Sequence, residues 1–66
     1  MIYRVFIQSS ELELILETES LDEAHAKCVE TQAEMDAHGH DVVVEVRKKQ
    51  IRKDRYGGDF ICWPAI

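Results

Sequence analysis

Val42-Val43-Val44-Glu45-Val46-Arg47-Lys48-Lys49-Gln50-Ile51-Arg52-Lys53-Asp54-Arg55-Tyr56-Gly57-Gly58-Asp59-Phe60-Ile61-Cys62-Trp63 is the stretch on which the fold turns. Val42, Val44 and Val46 alternate with Val43, Glu45 and Arg47, the period of a strand with one buried face. The segment beyond Arg47 reads in two ways. Gly57-Gly58 is the best two-residue hairpin turn in the chain, and it pairs a long basic strand, running to about Tyr56, with Phe60–Trp63. Alternatively the strand stops near Lys48 and returns through Ile51–Arg55, leaving the glycines and the last residues as a tail. The first reading is preferred. Pro64 then lies at an edge or a strand end, because it cannot donate to a central ladder.

Upstream, Ser20-Leu21-Asp22-Glu23 is a capping box, in which the serine hydroxyl accepts from the Glu23 N–H and the Glu23 side chain returns to the Ser20 N–H. A helix begins there. At 100° per residue, Leu21, Ala24, Cys28, Thr31 and Met35 fall on one stripe, with Glu23, Lys27, Glu30 and Glu34 opposite. Gly39 suits the left-handed position that ends it, with His38 in the last turn. Further upstream, Ile2–Ile7 is rich in β-branched and aromatic residues, and Leu12, Leu14 and Leu16 alternate with polar positions. Gln8-Ser9-Ser10-Glu11 supplies turn chemistry between the two runs.

The order is ββαββ, an α+β domain in which a mainly antiparallel four-stranded sheet carries one helix on one face. The expected core is Tyr3, Val5, Ile7, Leu12, Leu14, Leu16, Leu21, Ala24, Cys28, Met35, Val42, Val44 and Val46. Two strand orders satisfy the connection rules: a β-grasp-like sheet with the first and last strands central, or a sheet with the third strand beside the first. Strict alternation points Phe6, Ile15 and Val43 away from the helix, and Trp63 or Ile61 joins them. This apolar sheet face either meets a partner or a second copy, or is roofed by the stems of Arg4 and Arg47.

Sixty-six residues form one domain without room for a separate catalytic lobe. Ordering them costs roughly 1–2 kcal/mol per residue, so the margin left by so small a core is thin. No apolar run approaches the roughly 18–20 residues that cross a bilayer, and the N-terminus lacks the pattern of a signal peptide. A cytoplasmic protein without membrane association is expected, with Cys28 and Cys62 reduced. The charge is unevenly distributed. Residues 1–46 carry two cations and eleven acids, 2 − 11 = −9, whereas residues 47–66 carry six cations and two acids, 6 − 2 = +4, within a chain net of −5.

No catalytic residues are expected, since Ser9-Ser10 and the two cysteines lack a base and an orienting group at any recognisable spacing. Neither His38-Gly39-His40 nor the cysteines have metal-ligand spacing, and the glycines open no helix that would cradle phosphate, so neither metal nor cofactor is expected. Binding surfaces remain. Glu23, Glu30 and Glu34 on the helix, thickened by Glu13 and Glu17 on the second strand, form an acidic face that offers carboxylates where phosphates would stand. The helix places five acids along about 25 Å of axis, sparse beside one charge per about 1.7 Å in duplex DNA. Arg47, Lys48, Lys49, Arg52, Lys53 and Arg55 form the opposite kind of surface, a basic ribbon able to track phosphates, with Tyr56 and Trp63 available for stacking.

The last third of the chain, Ile51-Arg52-Lys53-Asp54-Arg55-Tyr56-Gly57-Gly58-Asp59 after a helix and a Val-rich strand, resembles the ending of small uncharacterised bacterial ββαββ domains. Those domains close with Tyr-Gly-x-Asp-Pro, and Phe60 stands here at the proline. The resemblance implies the fold and no activity. In size, acidity and architecture the chain is also similar to small phage-encoded inhibitors, including anti-CRISPR proteins. The expected function is a non-enzymatic protein–protein interaction module of that type, docking by its acidic face on a nucleic-acid-handling protein. The alternative is a nucleic-acid-binding module using the ribbon from Arg47 to Tyr56.

Overall fold

A computed structural model describes all of residues 1–66. The elements in order are β1 (Tyr3–Gln8), β2 (Leu12–Thr18), α1 (Leu21–Ala37), β3 (Val43–Lys48), β4 (Gln50–Lys53) and β5 (Asp59–Cys62). The α+β class stands, but the single four-stranded sheet is replaced by two antiparallel sheets, one of three strands in the order β2-β1-β3 and one of two, β4-β5. Of the two strand orders, the third strand lies beside the first.

The two sheets are parts of one long ribbon. β4 pairs with β5 from Gln50–Cys62 to Lys53–Asp59, and the isolated Arg47–Ala65 bridge keeps the same register three residues further back on each strand. Lys48 N–H donates to Pro64 O and Ile66 N–H to Val46 O, so the C-terminal residues run along the outer edge of β3. The ladder lapses at Lys48 and Pro64 because that pair needs a donor from each side and proline has none. β3 thus ends at Lys48, as the second reading has it, but the chain does not turn back through Ile51–Arg55: it continues after Lys49 as β4, which pairs with β5 and ends at Lys53 rather than Tyr56. The turn is also displaced. Asp54 N–H donates to Gly58 O and Gly57 N–H to Asp54 O, leaving Arg55, Tyr56 and Gly57 as a three-residue loop with Gly57 at φ +81°. This is a type I turn completed by a left-handed glycine, not a two-residue Gly57-Gly58 turn.

A bulge redistributes the leucines. Val5 faces Leu16, but Phe6 faces Leu14, so Ile15 is an extra residue in β2. Beyond it the alternation is inverted. Leu16 remains beneath the helix with Val5, whereas Leu14 and Leu12 share the open face with Phe6 and Gln8 and are about half exposed. Two expectations are corrected at once: Leu12 and Leu14 are not core, and Ile15 is not part of the apolar open face but packs against the core. That core is Val5, Ile7, Ala24, Val44 and Val46, bordered by Tyr3, Ile15, Leu16, Leu21, Cys28, Met35 and Val42.

The helix is capped at both ends from local sequence. Ser20 Oγ accepts from Glu23 N–H at 3.2 Å, but the return half of the expected capping box runs through Thr18. The Thr18 hydroxyl accepts from Ser20 N–H and donates to the Glu23 carboxylate, each at 3.1 Å. At the other end His38 is the C-cap and Gly39 takes φ +75°, while His40 N–H reaches Met35 O and Gly39 N–H reaches Asp36 O, a Schellman closure. Between the caps Gln32 fastens helix to sheet. Its amide donates to Val42 O at 3.1 Å and accepts from Val44 N–H at 2.9 Å, filling the part of the β3 edge that the C-terminal residues do not reach.

The molecule is elongated, 47 × 26 × 14 Å with a radius of gyration of 13.8 Å, against about 11 Å for a compact chain of this length. Its accessible surface is 4866 Å², where a compact monomer of this mass exposes about 4,300 Å². The excess lies in the β4–β5 ribbon, which packs on no other strand or helix.

Candidate functional site

The open face of the three-stranded sheet is built in cross-strand rows. Leu12, Gln8 and Val43 form the first, Leu14, Phe6 and Glu45 the second, and Glu17, Arg4, Arg47 and Ala65 the third. The third row folds over the second. Arg47 forms an ion pair with Glu45, 2.5 Å from Nη2 to Oε1, and its guanidinium lies 5.2 Å from the Phe6 ring centre. Arg4 pairs with Glu17 at 2.7 Å and sits 3.9 Å from the Trp63 ring centre. Of the residues expected to make this face apolar, Phe6 is buried beneath Arg47, Trp63 is half-buried against Arg4, Ile15 belongs to the other side, Ile61 is exposed on the arm, and Val43 is the one left exposed on this face. The arginine roof thus covers much of the face, and Leu12, Leu14 and Val43 remain at one end.

The acidic residues do not gather on one surface. Glu17 lies opposite Arg4 on the face away from the helix, while the bulge puts Glu13 opposite Ile7 on the helix side. Glu23 is engaged with Thr18 at the helix start. Glu30 and Glu34 are exposed.

The basic segment divides at the sheet boundary. Arg47 belongs to the sheet rather than to the projecting arm, its guanidinium engaged with Glu45 and Phe6. Lys48 and Lys49 stand at the base of the projecting arm, Arg52 and Lys53 on β4, and Arg55 and Tyr56 at its tip, with none of these cations in an ion pair with a carboxylate. The arm also exposes apolar side chains on both faces. Ile51 and Ile61 form one cross-strand pair, 63% and 56% exposed, and Phe60 stands opposite Arg52 on the reverse. Tyr56 at the tip is 88% exposed. Asp54 holds the tip rigid, its Oδ1 accepting from Tyr56 N–H at 2.8 Å and Gly58 N–H at 2.9 Å.

The surface has no pocket, and no group of three or more histidine, cysteine or acidic side chains is close enough to hold a metal ion. His38 and His40 lie with ring centres 6.4 Å apart beyond the helix end. No helix is long and apolar enough to cross a membrane. Burial, and secondarily the carboxylate of Glu45, push the Cys28 thiol above its ordinary pKa, the direction opposite to that of an activated nucleophile.

Two organising residues are missed by a reading of sequence. Asp54 carries a signal that could have found it, since aspartate three residues before glycine is the pattern of a type I turn. Gln32 carries none, because nothing local distinguishes it from a solvated helix residue. No protein-family model, curated protein or solved structure matches the chain.

Proposed function

We propose that the protein is a non-enzymatic interaction module that engages a protein partner chiefly through the β4–β5 arm. One observation carries this reading: the arm packs on nothing in its own chain yet displays Ile51, Ile61, Phe60 and Tyr56 to solvent. A two-stranded hairpin alone in water is marginal, and large apolar side chains each gain about 1.5–3 kcal/mol on full burial. Such an arm therefore gains most by entering a partner's surface. The acidic route, docking on a basic nucleic-acid-handling protein in the manner of a phage-encoded inhibitor, keeps Glu30 and Glu34 as its contacts and is the competing form of the same function.

A second reading has its own support. About 16 Å of ribbon separates Lys49 from Asp54 at 3.3 Å per residue, twice the screening length of about 8 Å at physiological salt. Lys53 and Arg55 thereby stand clear of the acidic body, as phosphate binding requires.

Tagged protein immobilised in extract of the organism that makes it tests these readings through variants. We expect a specific partner that is lost with the pair Tyr56→Ser and Phe60→Ser and retained with Glu30→Lys and Glu34→Lys. The reverse pattern would transfer the contact to the acidic helix. A gel shift with free DNA and RNA at low salt addresses the second reading: binding abolished by Lys53→Glu and Arg55→Glu supports it, and no shift removes it.

A further inference from the structure

We infer that the chain forms a two-fold dimer in which β4 of each copy adds as a strand to the free edge of β2 of the other. This goes beyond the partner proposed above and leaves both faces of the arm available to it, because strand addition uses the backbone edge and not the ribbon faces.

Three strand edges are unpaired in this fold, those of β2, β4 and β5, and of the last two only β4 carries cations. β2 is the outer strand of the three-stranded sheet, and β4 is paired only with β5. The free edge of β4 has a definite origin. β3 and β4 run on in one direction, but β1, which lines β3, contributes its last partner at Ile2, whose carbonyl accepts from Lys49 N–H at 2.8 Å. Beyond that point only Met1 remains of the N-terminal segment, and apart from β5 no strand or helix packs beside the four residues of β4, a length of about 13 Å.

The edges are complementary in charge. Glu11, Glu13, Glu17 and Glu19 lie in and beside β2 with no cation in that stretch, Glu17 being held by Arg4 of β1, whereas Lys48, Lys49, Arg52 and Lys53 lie in and beside β4, which itself contains no acid and is followed by Asp54. Pairing β2 with another β2 would bring like charges into register, which is destabilising in a sheet. Both edges also carry exposed apolar side chains, Leu12 and Leu14 on one and Ile51 on the other.

The topology closes the assembly at two copies. In the order β2-β1-β3, with β4 continuing β3, β4 lies two strand spacings from the line of β2. A second copy rotated by half a turn about an axis normal to the sheet brings its β2 into the lane beside β4, in line with β1 of the first. The same rotation brings its own β4 alongside β2 of the first copy. Both new pairs are antiparallel and equivalent, the isologous arrangement that terminates rather than propagating into a fibre.

Light scattering coupled to size exclusion on the purified full chain reads the outcome directly. At low salt we expect twice the 7.6 kDa chain mass, with at least tenfold weaker association in 0.5 M salt. An arm-reversed chain, Arg52→Glu with Lys53→Glu, and an edge-reversed chain, Glu13→Lys with Glu19→Lys, are each expected to be monomeric. Mixed in equal amounts they regain the dimer, since both interfaces then join opposite charges. These exposed positions leave the core untouched, and circular dichroism of each chain confirms that it is folded. A wild-type monomer up to millimolar concentration, a dimer indifferent to both reversals, or no recovery on mixing overturns the inference. None of these results depends on capture of a foreign partner, so failure here is separable from failure of the proposed function.

Discussion

The guanidinium of Arg4, in the first strand, lies 3.9 Å from the centre of the Trp63 ring at the far end of the chain while its Nε holds the Glu17 carboxylate at 2.7 Å. The contact joins β1 and β2 to the segment that leads from the arm into the C-terminal edge strand. Arg4 thus fixes the base from which the arm projects.

Arg4→Ala removes both contacts. A cation over an aromatic face contributes about 0.5–1 kcal/mol when exposed and about 2 when desolvated, and an exposed ion pair about 0.2–1 kcal/mol. A loss of about 1–2 kcal/mol is expected, read as a lower urea midpoint followed by Trp63 fluorescence. Arg4→Lys retains the charge but not the planar stack and should recover less than half. Full recovery by lysine would show that ring stacking contributes little.

Gln32 gives a sharper contrast. Its amide serves Val42 O and Val44 N–H together, so Gln32→Leu leaves a backbone donor and a backbone acceptor without their partner at the sheet edge. Unmade buried hydrogen bonds cost about 1–3 kcal/mol. Gln32→Glu keeps the acceptor for Val44 N–H but opposes a carboxylate to the Val42 carbonyl, and it should be at least as destabilised at neutral pH. Thermal denaturation of the two variants beside wild type checks the order. A Gln32→Glu protein as stable as wild type would show that the Val42 contact has no energetic weight.

Damage to the arm tip should remain local. Asp54→Ala deletes the acceptor for Tyr56 and Gly58 N–H, and Gly57→Ala forces a side chain into φ +81°, at roughly 1–2 kcal/mol. Because the arm packs on no other element, amide exchange should accelerate tenfold or more at residues 51–61 while the midpoint of global unfolding stays nearly constant. Equal acceleration throughout β1 and α1 would mean that arm and body unfold as one unit.

The boundary between what is legible in this sequence and what is not has identifiable causes. The helix is legible because its stripe and both its caps depend on neighbours within four or five residues, and Val5, Ile7, Val44 and Val46 are legible because their strands keep period two. Leu12, Leu14 and Ile15 are misassigned by alternation because the bulge is a property of the pairing between β1 and β2, and one extra residue inverts every position beyond it. The long ribbon is visible in outline, but the lapse at Lys48 depends on which residue faces Pro64. Among the candidate site residues, Lys53, Arg55 and Tyr56 lie in one exposed place because one hairpin carries them. Glu13 and Glu17 are separated by the same bulge, and Arg47 is claimed by Glu45, its neighbour two residues away on the same strand face, and by Phe6, which only the sheet register brings beside it.

The two thiols should separate by reactivity. Cys28 donates its S–H to Val44 O at 3.4 Å at the edge of the core, and burial, then Glu45, raise its pKa. The thiolate is the reacting species, so with iodoacetamide at pH 8, followed by peptide mass, Cys62 should alkylate first and Cys28 at least tenfold more slowly. The same shift couples to stability. A pKa higher in the folded than in the unfolded state means that the fold retains the proton longer. Its contribution is therefore complete below the unfolded pKa and disappears as pH rises through the folded one. The urea midpoint should fall through the alkaline range, and Cys28→Ala, though less stable by about 1 kcal/mol at neutral pH from lost packing, should fall less steeply there. Parallel alkaline slopes for the two proteins would show that the Cys28 proton is not linked to folding.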